Sequence, residues 1–510
     1  MLALSSQNAG IVSTRELATC LLATSGLAIL VWASAFVAVR HRLRSALVAS
    51  LFILLLFAPG RMLAPIFAPL STMVPALRFL LWLGLFLVGV VVLGKVRMDV
   101  RSANALLNVL ALGWVALPAL RVTGDLATRR VLSNVVRPPT LDLVGTSRPQ
   151  TADIYYIVLD GYARADVLHD VYGLDNSAFL NALARRGFFV ADGSAANYSQ
   201  TLFSLASALN LDYLDDVVRL VGANGVNRWP LVQMVDDSVA VRFLREQGYT
   251  IAALASAYSG TEIAGADVFA APQCSLTYFQ NLLLGTTLFA VLFPKLQYDI
   301  HRDRIEYAFE WLRSVPGEQR RGLRSVPGKQ QTAEPEGLPG QSGARDPVFV
   351  LAHVVAPHPP FVFDQDGSPL YPRRPFSLVD GSHYLSTSSR KEYIDGYRRQ
   401  LAFVSQQLAV TIDAIIAQSE EPPVIILQAD HGPGVMLDWE SADNTNLAER
   451  LSILNAMVLP GAQESLYPTV SPVNTFRVLF NALFGTQLDL LPDKSYFSTA
   501  SHPYQLMQVH

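Results

Sequence analysis

The sequence predicts a chain in two parts: an N-terminal multi-span α-helical membrane region, then an α/β domain with a mostly parallel sheet and helices on both faces. Three observations predict it. Of the 510 residues, 51% are hydrophobic and 16% charged, mean hydropathy is +0.29, and the apolar excess lies before about residue 122. Beyond residue 150, short apolar runs rich in β-branched residues alternate with helical patterns and are separated from them by glycine, the mark of parallel β-α-β units. Two of those runs end on Asp160 and on Asp430-His431, at the strand ends where an open α/β sheet holds its ligands.

Four apolar stretches approach or exceed the roughly 20 residues that cross a bilayer, about Leu17 to Val39, Ser45 to Ala68, Ala76 to Gly94 and Ala103 to Leu120. Pro59, Gly60 and Arg61 interrupt the second, so it is expected to end near Ala58 and continue at the interface. A cleavable signal peptide competes for the first, with Ala33-Ser34-Ala35 as its small-residue site, but Arg15 alone stands in for a basic n-region. Basic residues cluster after the first stretch (Arg40, Arg42, Arg44) and after the third (Lys95, Arg97, Arg101), which places those loops in the cytoplasm. The expectation is a multi-pass cell-membrane protein whose catalytic part is extracytoplasmic. The membrane region is read as 1–122 and a linker, carrying Pro138 and Pro139, as 123–150.

The α/β domain is read as 151–510. Asp153 to Leu159 is a buried strand, Ser177 to Arg186 a helix stopped by Gly187, and Gly187 to Val190 a strand. Ser238 to Gln247 and Tyr249 to Leu254 repeat the helix-strand alternation, and Pro347 to His353 and Pro423 to Gln428 add two buried strands. Ile394, Tyr397, Leu401, Val404, Leu408, Ile412 and Ile415 recur at helical spacing within Lys391 to Gln418, a long amphipathic helix. Arg-Ser-Val-Pro-Gly occurs at 313 and again at 324, ahead of a Gln, Glu, Pro and Gly-rich run, so 314–346 reads as a disordered insertion.

A net charge of −3 and a pI near 6.3 exclude the basic footprint of a nucleic-acid binder. Cys20, inside an apolar stretch, and Cys274 make no disulfide framework.

Asp160, Asp430 and His431 supply oxygen and nitrogen ligands suited to one divalent ion such as zinc, manganese or magnesium. Thr201, opening a helix after Asn197-Tyr-Ser-Gln, is the candidate fourth ligand and nucleophile, because a bound cation lowers a hydroxyl's pKa and a helix N-terminus favours an incoming phosphate or sulfate. The plainer readings are a turn for Asp160-Gly161 and an ordinary helix start for Thr201, with Ser199 and Ser204 as competitors. Asn197-Tyr-Ser also fits a glycosylation acceptor. His358, before Pro-Pro-Phe, is placed to contact the transferred group or protonate a leaving group, and His353 reads evenly as core or site. Arg450 can clamp a phosphate, with an exposed surface position as the commoner expectation.

The order Leu-Asp160-Gly, Asn-Tyr-Ser-Gln-Thr201, Pro-His358-Pro-Pro-Phe, Ala-Asp430-His431-Gly and Ser471-Pro-Val-Asn474 resembles the sulfatase-like branch of the alkaline phosphatase superfamily. Within that branch it is similar to the membrane-bound lipoteichoic acid synthases and phosphoethanolamine transferases. The resemblance implies that Asp160, Thr201, Asp430 and His431 hold one divalent metal, that Thr201 becomes covalently phosphorylated, and that His358 touches the transferred group. It implies a membrane lipid or lipid-linked glycan as substrate, with a phospholipid head group as the group moved. Thr201-Leu-Phe-Ser lacks the proline and arginine that follow the nucleophile of true sulfatases, which disfavours sulfate esters. A second metal site would need an Asp-x-x-x-His pair and a late His, and Asp364 and His502 lack that spacing. Water as acceptor, giving a phosphodiesterase, phosphatase or sulfuric ester hydrolase, is the alternative; a non-catalytic membrane scaffold is the remote one.

Overall fold

The computed structural model describes residues 10, 12–57, 75–95, 99–135, 151–319 and 346–509. The chain divides into two compact units, Met1–Val131 with Leu276–Ile300, and Leu132–Ser275 with His301–His510.

The first unit holds four N-terminal apolar helices, α1 (Thr14–Val39), α2 (Arg42–Phe57), α3 (Pro75–Lys95) and α4 (Val100–Val135). Three of these, α1, α3 and α4, are long and apolar enough to cross a membrane, and their apolar side chains stand exposed, as helices meant for lipid do. The second apolar stretch is helical as far as Phe57, and its continuation lies outside the described residues. The fourth stretch belongs to a longer helix that carries through Val135, well into the segment read as linker.

The second unit is built on a seven-stranded sheet. Its strands are β1 (Ile154–Leu159), β2 (Phe189–Val190), β3 (Thr250–Leu254), β4 (Val268–Ala270), β5 (Val348–Val354), β6 (Val424–Gln428) and β7 (Asn455–Val458), in the order β2-β7-β6-β1-β5-β3-β4. All pairings are parallel except those of β7, which runs against both β6 and β2. The predominantly parallel sheet is thus as the sequence predicts; β4 and β7 are additions to it.

Both faces of β1 are covered, which is why it reads as a continuous apolar run rather than an alternation. Ile154, Tyr156 and Val158 join a core with Phe203 of helix α5 (Thr201–Asn210) and Phe476 of a late helix (Pro472–Phe484), Tyr156 and Phe476 meeting edge to face at 5.2 Å. Tyr155, Ile157 and Leu159 are equally buried on the other face. The long amphipathic helix Arg390–Gln418 is fixed to the turn after β1, its Tyr397 hydroxyl donating to Gly161 O at 2.9 Å and accepting from Ala163 N at 3.1 Å. That helix is also long and apolar enough to span a bilayer, but its buried stripe, Tyr397 to Ile415, makes it a core helix. Residues 314–319, assigned above to the insertion, continue the helix Leu296–Gln319 with Val315 fully buried; 320–345 lie outside the described residues.

Candidate metal and nucleophile site

Strand register assembles the site. Val158 of β1 lies opposite His353 of β5 and Gln428 of β6, so two residues further on Asp160 and Asp430 reach the same level at the C-terminal edge of adjacent strands. Gly161, at φ +75°, turns the chain there, and its N–H donates to Asp430 Oδ1 at 3.2 Å. Gly432 makes the matching turn after β6, where a Cβ would lie 2.0 Å from Glu449 O, so no other residue fits without moving that backbone.

Asp160, His353 and Asp430 are buried and offer ligand atoms within 4.8 Å of one another. His431 Nε2 lies 3.2 Å from Asp430 Oδ2 and 3.7 Å from Asp160 Oδ1, His353 Nε2 lies 3.5 Å from Asp160 Oδ2, and Thr201 Oγ1 is 3.0 Å from His431 Nε2. The structure therefore brings together Asp160, Thr201, Asp430 and His431 and adds His353 to them.

The imidazoles share one orientation. His431 Nδ1 lies 2.9 Å from Gly432 O, and His358 Nδ1 2.5 Å from Pro359 O, so in each the Nδ1–H donates to a carbonyl. His353 Nδ1 meets Thr261 Oγ1 at 2.8 Å; that hydroxyl gives its own proton to Tyr258 O at 2.9 Å and so accepts from Nδ1–H. His431 and His353 in this tautomer present an Nε2 lone pair to the carboxylates.

Lone pairs and carboxylate oxygens then face each other in a buried site. Among the described residues Asp160 Oδ1, Asp430 Oδ2 and His353 Nε2 are buried with no hydrogen-bond partner. Two carboxylate charges within 4.8 Å of each other repel by at least about 3 kcal/mol at an effective dielectric of about 20. A cation among these atoms removes both the repulsion and the orphaned acceptors, so the donor set fits one divalent ion. The proton affinities carry the same strain. Burial acts to raise Asp160, but the imidazoles of His358, His353 and His431 more than reverse it and hold the carboxyl below its usual range. Burial opposes charge on His353, yet the Asp160 carboxylate 3.5 Å from its Nε2 raises it, whereas His431 is lowered by burial and then by Arg450.

Thr201 is part-exposed and is the first residue of α5, whose remaining residues Leu202 to Asn210 are all buried. Its competitors are occupied: Ser204 Oγ donates to Tyr198 O at 2.9 Å and Ser199 Oγ accepts from Ser498 N at 3.4 Å, both buried. Asn197 is no glycosylation acceptor in this fold, since it is fully buried and its amide holds Val473 N, Ser471 and Lys494 O.

His358 follows β5, its N–H donating to Asp160 O at 3.0 Å, its O accepting from Gln400 at 2.9 Å and its ring centred 6.5 Å from that of His431. Arg450 is not a surface residue. It is 1% exposed, donates to Asp380 Oδ2, Gly432 O and Ser199 O at 2.9 Å each, and so braces the loops that carry His431 and Thr201. Asp364 pairs instead with Arg399 at 3.4 Å, and His502 is exposed beside Ser501, so neither joins the cluster.

Sequence reasoning left His353 undecided and gave no role to Thr261 or His301. His301 is 1% exposed with both ring nitrogens unpartnered, and it lines a small cavity with His353, Arg304 and Ser256. The strand register was the available signal for His353; none pointed to His301, which comes from a distant helix.

No protein-family model matches the sequence, and no curated protein matches it. The chain is similar in structure to phosphoethanolamine transferases and sulfatases. Among these are the C-terminal periplasmic domain of a phosphoethanolamine transferase from Campylobacter jejuni, at 12% identity over 67% of this chain and 92% of that one with a TM-score of 0.40. Lipooligosaccharide phosphoethanolamine transferase A, an integral membrane protein from Neisseria meningitidis, matches at 13% identity over 79% and 69% with a TM-score of 0.36. A 2-O GAG sulfatase matches at 12% identity over 70% and 74% with a TM-score of 0.37. Likeness this distant carries no activity across to this chain.

Proposed function

We propose that this chain is a membrane-anchored, metal-dependent transferase that cleaves a phosphate ester through Thr201, taking a head group from a membrane phospholipid to a lipid or glycan acceptor. The observation that supports it most is the part-exposed Thr201 hydroxyl, 3.0 Å from His431 Nε2, at a helix N-terminus beside buried carboxylate and imidazole atoms with no protein partner. The membrane-length helices supply the reason for a lipid substrate, and the charge pattern of their loops for an extracytoplasmic site in the cell membrane.

Asp160, Asp430, His431 and Thr201 would hold the ion, with His353 beside them. A divalent ion bound there supplies Lewis acidity that makes a threonine hydroxyl a competent nucleophile at neutral pH. Thr201 Oγ, its proton passed to solvent, would attack phosphorus as the bond from phosphorus to the leaving oxygen breaks, and that oxygen would take a proton, a role we assign to His358. The first turn of α5 has no side-chain cap, so its backbone N–H groups would be available to phosphoryl oxygens. In the second half-reaction an acceptor hydroxyl would give its proton to His358 and attack phospho-Thr201, the bond from phosphorus to Thr201 Oγ breaking and Oγ taking a proton from solvent. Water in place of that hydroxyl gives hydrolysis with the same residues.

The test is the intact mass of the purified full-length protein after incubation with a mixed phospholipid extract and manganese, wild type against Thr201→Ala. A mass increase that depends on Thr201 is expected and names the group transferred. Adducts of equal mass on the variant would move the nucleophile elsewhere, and a wild-type protein that takes up no metal would remove the site.

A further inference from the structure

The sequence carries no Asp, Glu, Lys or Arg between Asp267 and Lys295, a gap unlike any other in the second half of the chain. Within it, Tyr278–Gly285 forms helix α6 and Leu288–Leu292 helix α7. Leu276–Ile300 groups with the N-terminal helices rather than with the residues on either side of it in sequence. Helix α7 packs on α2 and α3, Arg78 of α3 donates to Val291 O at 2.6 Å, and Thr277 bonds Glu16 of α1. Phe279 closes a small core with Leu17, Cys20 and Val122, next to Leu282 and Leu283.

The polar groups of this run are folded inward. Thr277 and Gln280 form a reciprocal cap at the start of α6, and Asn281 donates to Leu276 O and Thr277 O at 3.2 Å each. Thr286 and Thr287 donate to Leu283 O and Leu284 O at 2.7 Å, satisfying carbonyls that the end of α6 leaves free, and Gln297 donates to Asn281 O at 2.9 Å. Side chains that close on their own backbone are what a segment needs where water is absent. Three of its apolar side chains do the opposite: Phe289 is 49% exposed, Phe293 55% and Leu296 39%.

We propose that Leu276–Ile300 is a second membrane contact, a segment that lies in the bilayer interface with Phe289, Phe293 and Leu296 in the lipid. The proposal rests on the membrane reading of α1 to α4. Continuity with those helices selects lipid as the occupant, because α6 and α7 share their unit and pack on them. The segment does not cross: eight residues of α6 rise about 12 Å, against a hydrocarbon core of about 30 Å. Helices that lie in the interface bury their apolar face about 5–10 Å into the boundary between headgroups and acyl chains.

The experiment uses the full chain, with Cys20→Ala and Cys274→Ser, in vesicles of phosphatidylethanolamine and phosphatidylglycerol. Phe289→Cys and Phe293→Cys are each labelled with a fluorophore and quenched by brominated lipid or by aqueous iodide. Leu85→Cys on α3, 51% exposed, and Val226→Cys in the second unit, 66% exposed, give the lipid and water limits. The expected result is that both labels follow Leu85→Cys, with quenching by brominated lipid at least threefold that by iodide. Labels that follow Val226→Cys overturn the proposal alone, as do labels that neither quencher reaches, since a protein partner or second copy would then cover the surface. If Leu85→Cys is itself quenched by iodide and not by lipid, the membrane reading falls and takes the proposal with it. Leu296→Cys replaces either position should that variant fail to fold.

Discussion

Two buried ionic neighbourhoods adjoin at the C-terminal edge of the sheet and follow opposite rules. Around Asp380 and Arg450 the charges are matched: Asp380 accepts from Tyr393 at 2.6 Å and Arg450 at 2.9 Å, and Arg450 also donates to Gly432 O and Ser199 O. Around Asp160 and Asp430 acceptors face acceptors, and three buried atoms have no hydrogen-bond partner. A buried charge with every bond satisfied holds the fold, whereas buried charges left facing each other are retained at a cost to the metal-free protein. The two clusters should therefore respond in opposite ways to mutation, one in stability and the other in function.

The largest effect expected is that of Thr201→Ala. Turnover of a phosphodiester probe should fall by at least about 10³-fold while metal analysis still finds one ion per chain, because three ligands remain. Arg450→Ala should do the reverse in kind. Leaving Asp380 buried without its partner should cost about 3–5 kcal/mol in denaturant unfolding, with metal affinity altered only as far as the His431 loop loosens. If Arg450→Ala melts like wild type yet binds no metal, the contrast between the clusters is wrong.

His301 tests a third case, a buried group with no partner that stays neutral. Burial, reinforced by Arg304, pushes its imidazole down to about 3. Above about pH 6.5 the ring is neutral folded and unfolded, so it contributes nothing to the pH dependence there. As pH falls below that, the unfolded chain binds a proton that the folded chain refuses, and stability is lost from about 6.5 down towards 3. By pH 4 the loss should reach about 3 kcal/mol, and His301→Gln should abolish that share of the slope in melts taken from pH 7 to pH 4. Next in size is Asp430→Asn, which should weaken metal binding by about 100-fold but leave the metal-free protein at least as stable as metal-free wild type, because one of two facing charges is gone.

Much of this arrangement was legible in the sequence because it is local. Asp160 and Asp430-His431 follow strands whose apolar runs are unmistakable, and Thr201 opens a helix directly after a hydroxyl-rich loop. What was not legible depends on pairing between distant segments. His353 reaches the cluster through the register of β5 on β1, and Arg450 is buried because Asp380, seventy residues earlier, waits for it. β7 escaped notice because Asn455–Val458 is too short for periodicity to declare it, and its antiparallel direction is set by its partner. Leu276–Ile300 was silent for a similar reason: neither of its helices approaches membrane-spanning length, and only their packing shows where they belong.

The smallest predicted effect is the sharpest check on the nucleophile. Ser204 sits one turn beyond Thr201 on the same helix and is chemically its equal, so sequence alone could not choose between them. In the fold its hydroxyl is 2% exposed and spent on Tyr198 O, whereas Thr201 faces His431. Ser204→Ala should cost about 1 kcal/mol of stability through the lost hydrogen bond and leave turnover within about threefold of wild type. Turnover that collapses in Ser204→Ala and survives in Thr201→Ala would show that the start of α5 shifts on binding substrate, moving the reactive hydroxyl by one helical turn and detaching it from the carboxylate cluster.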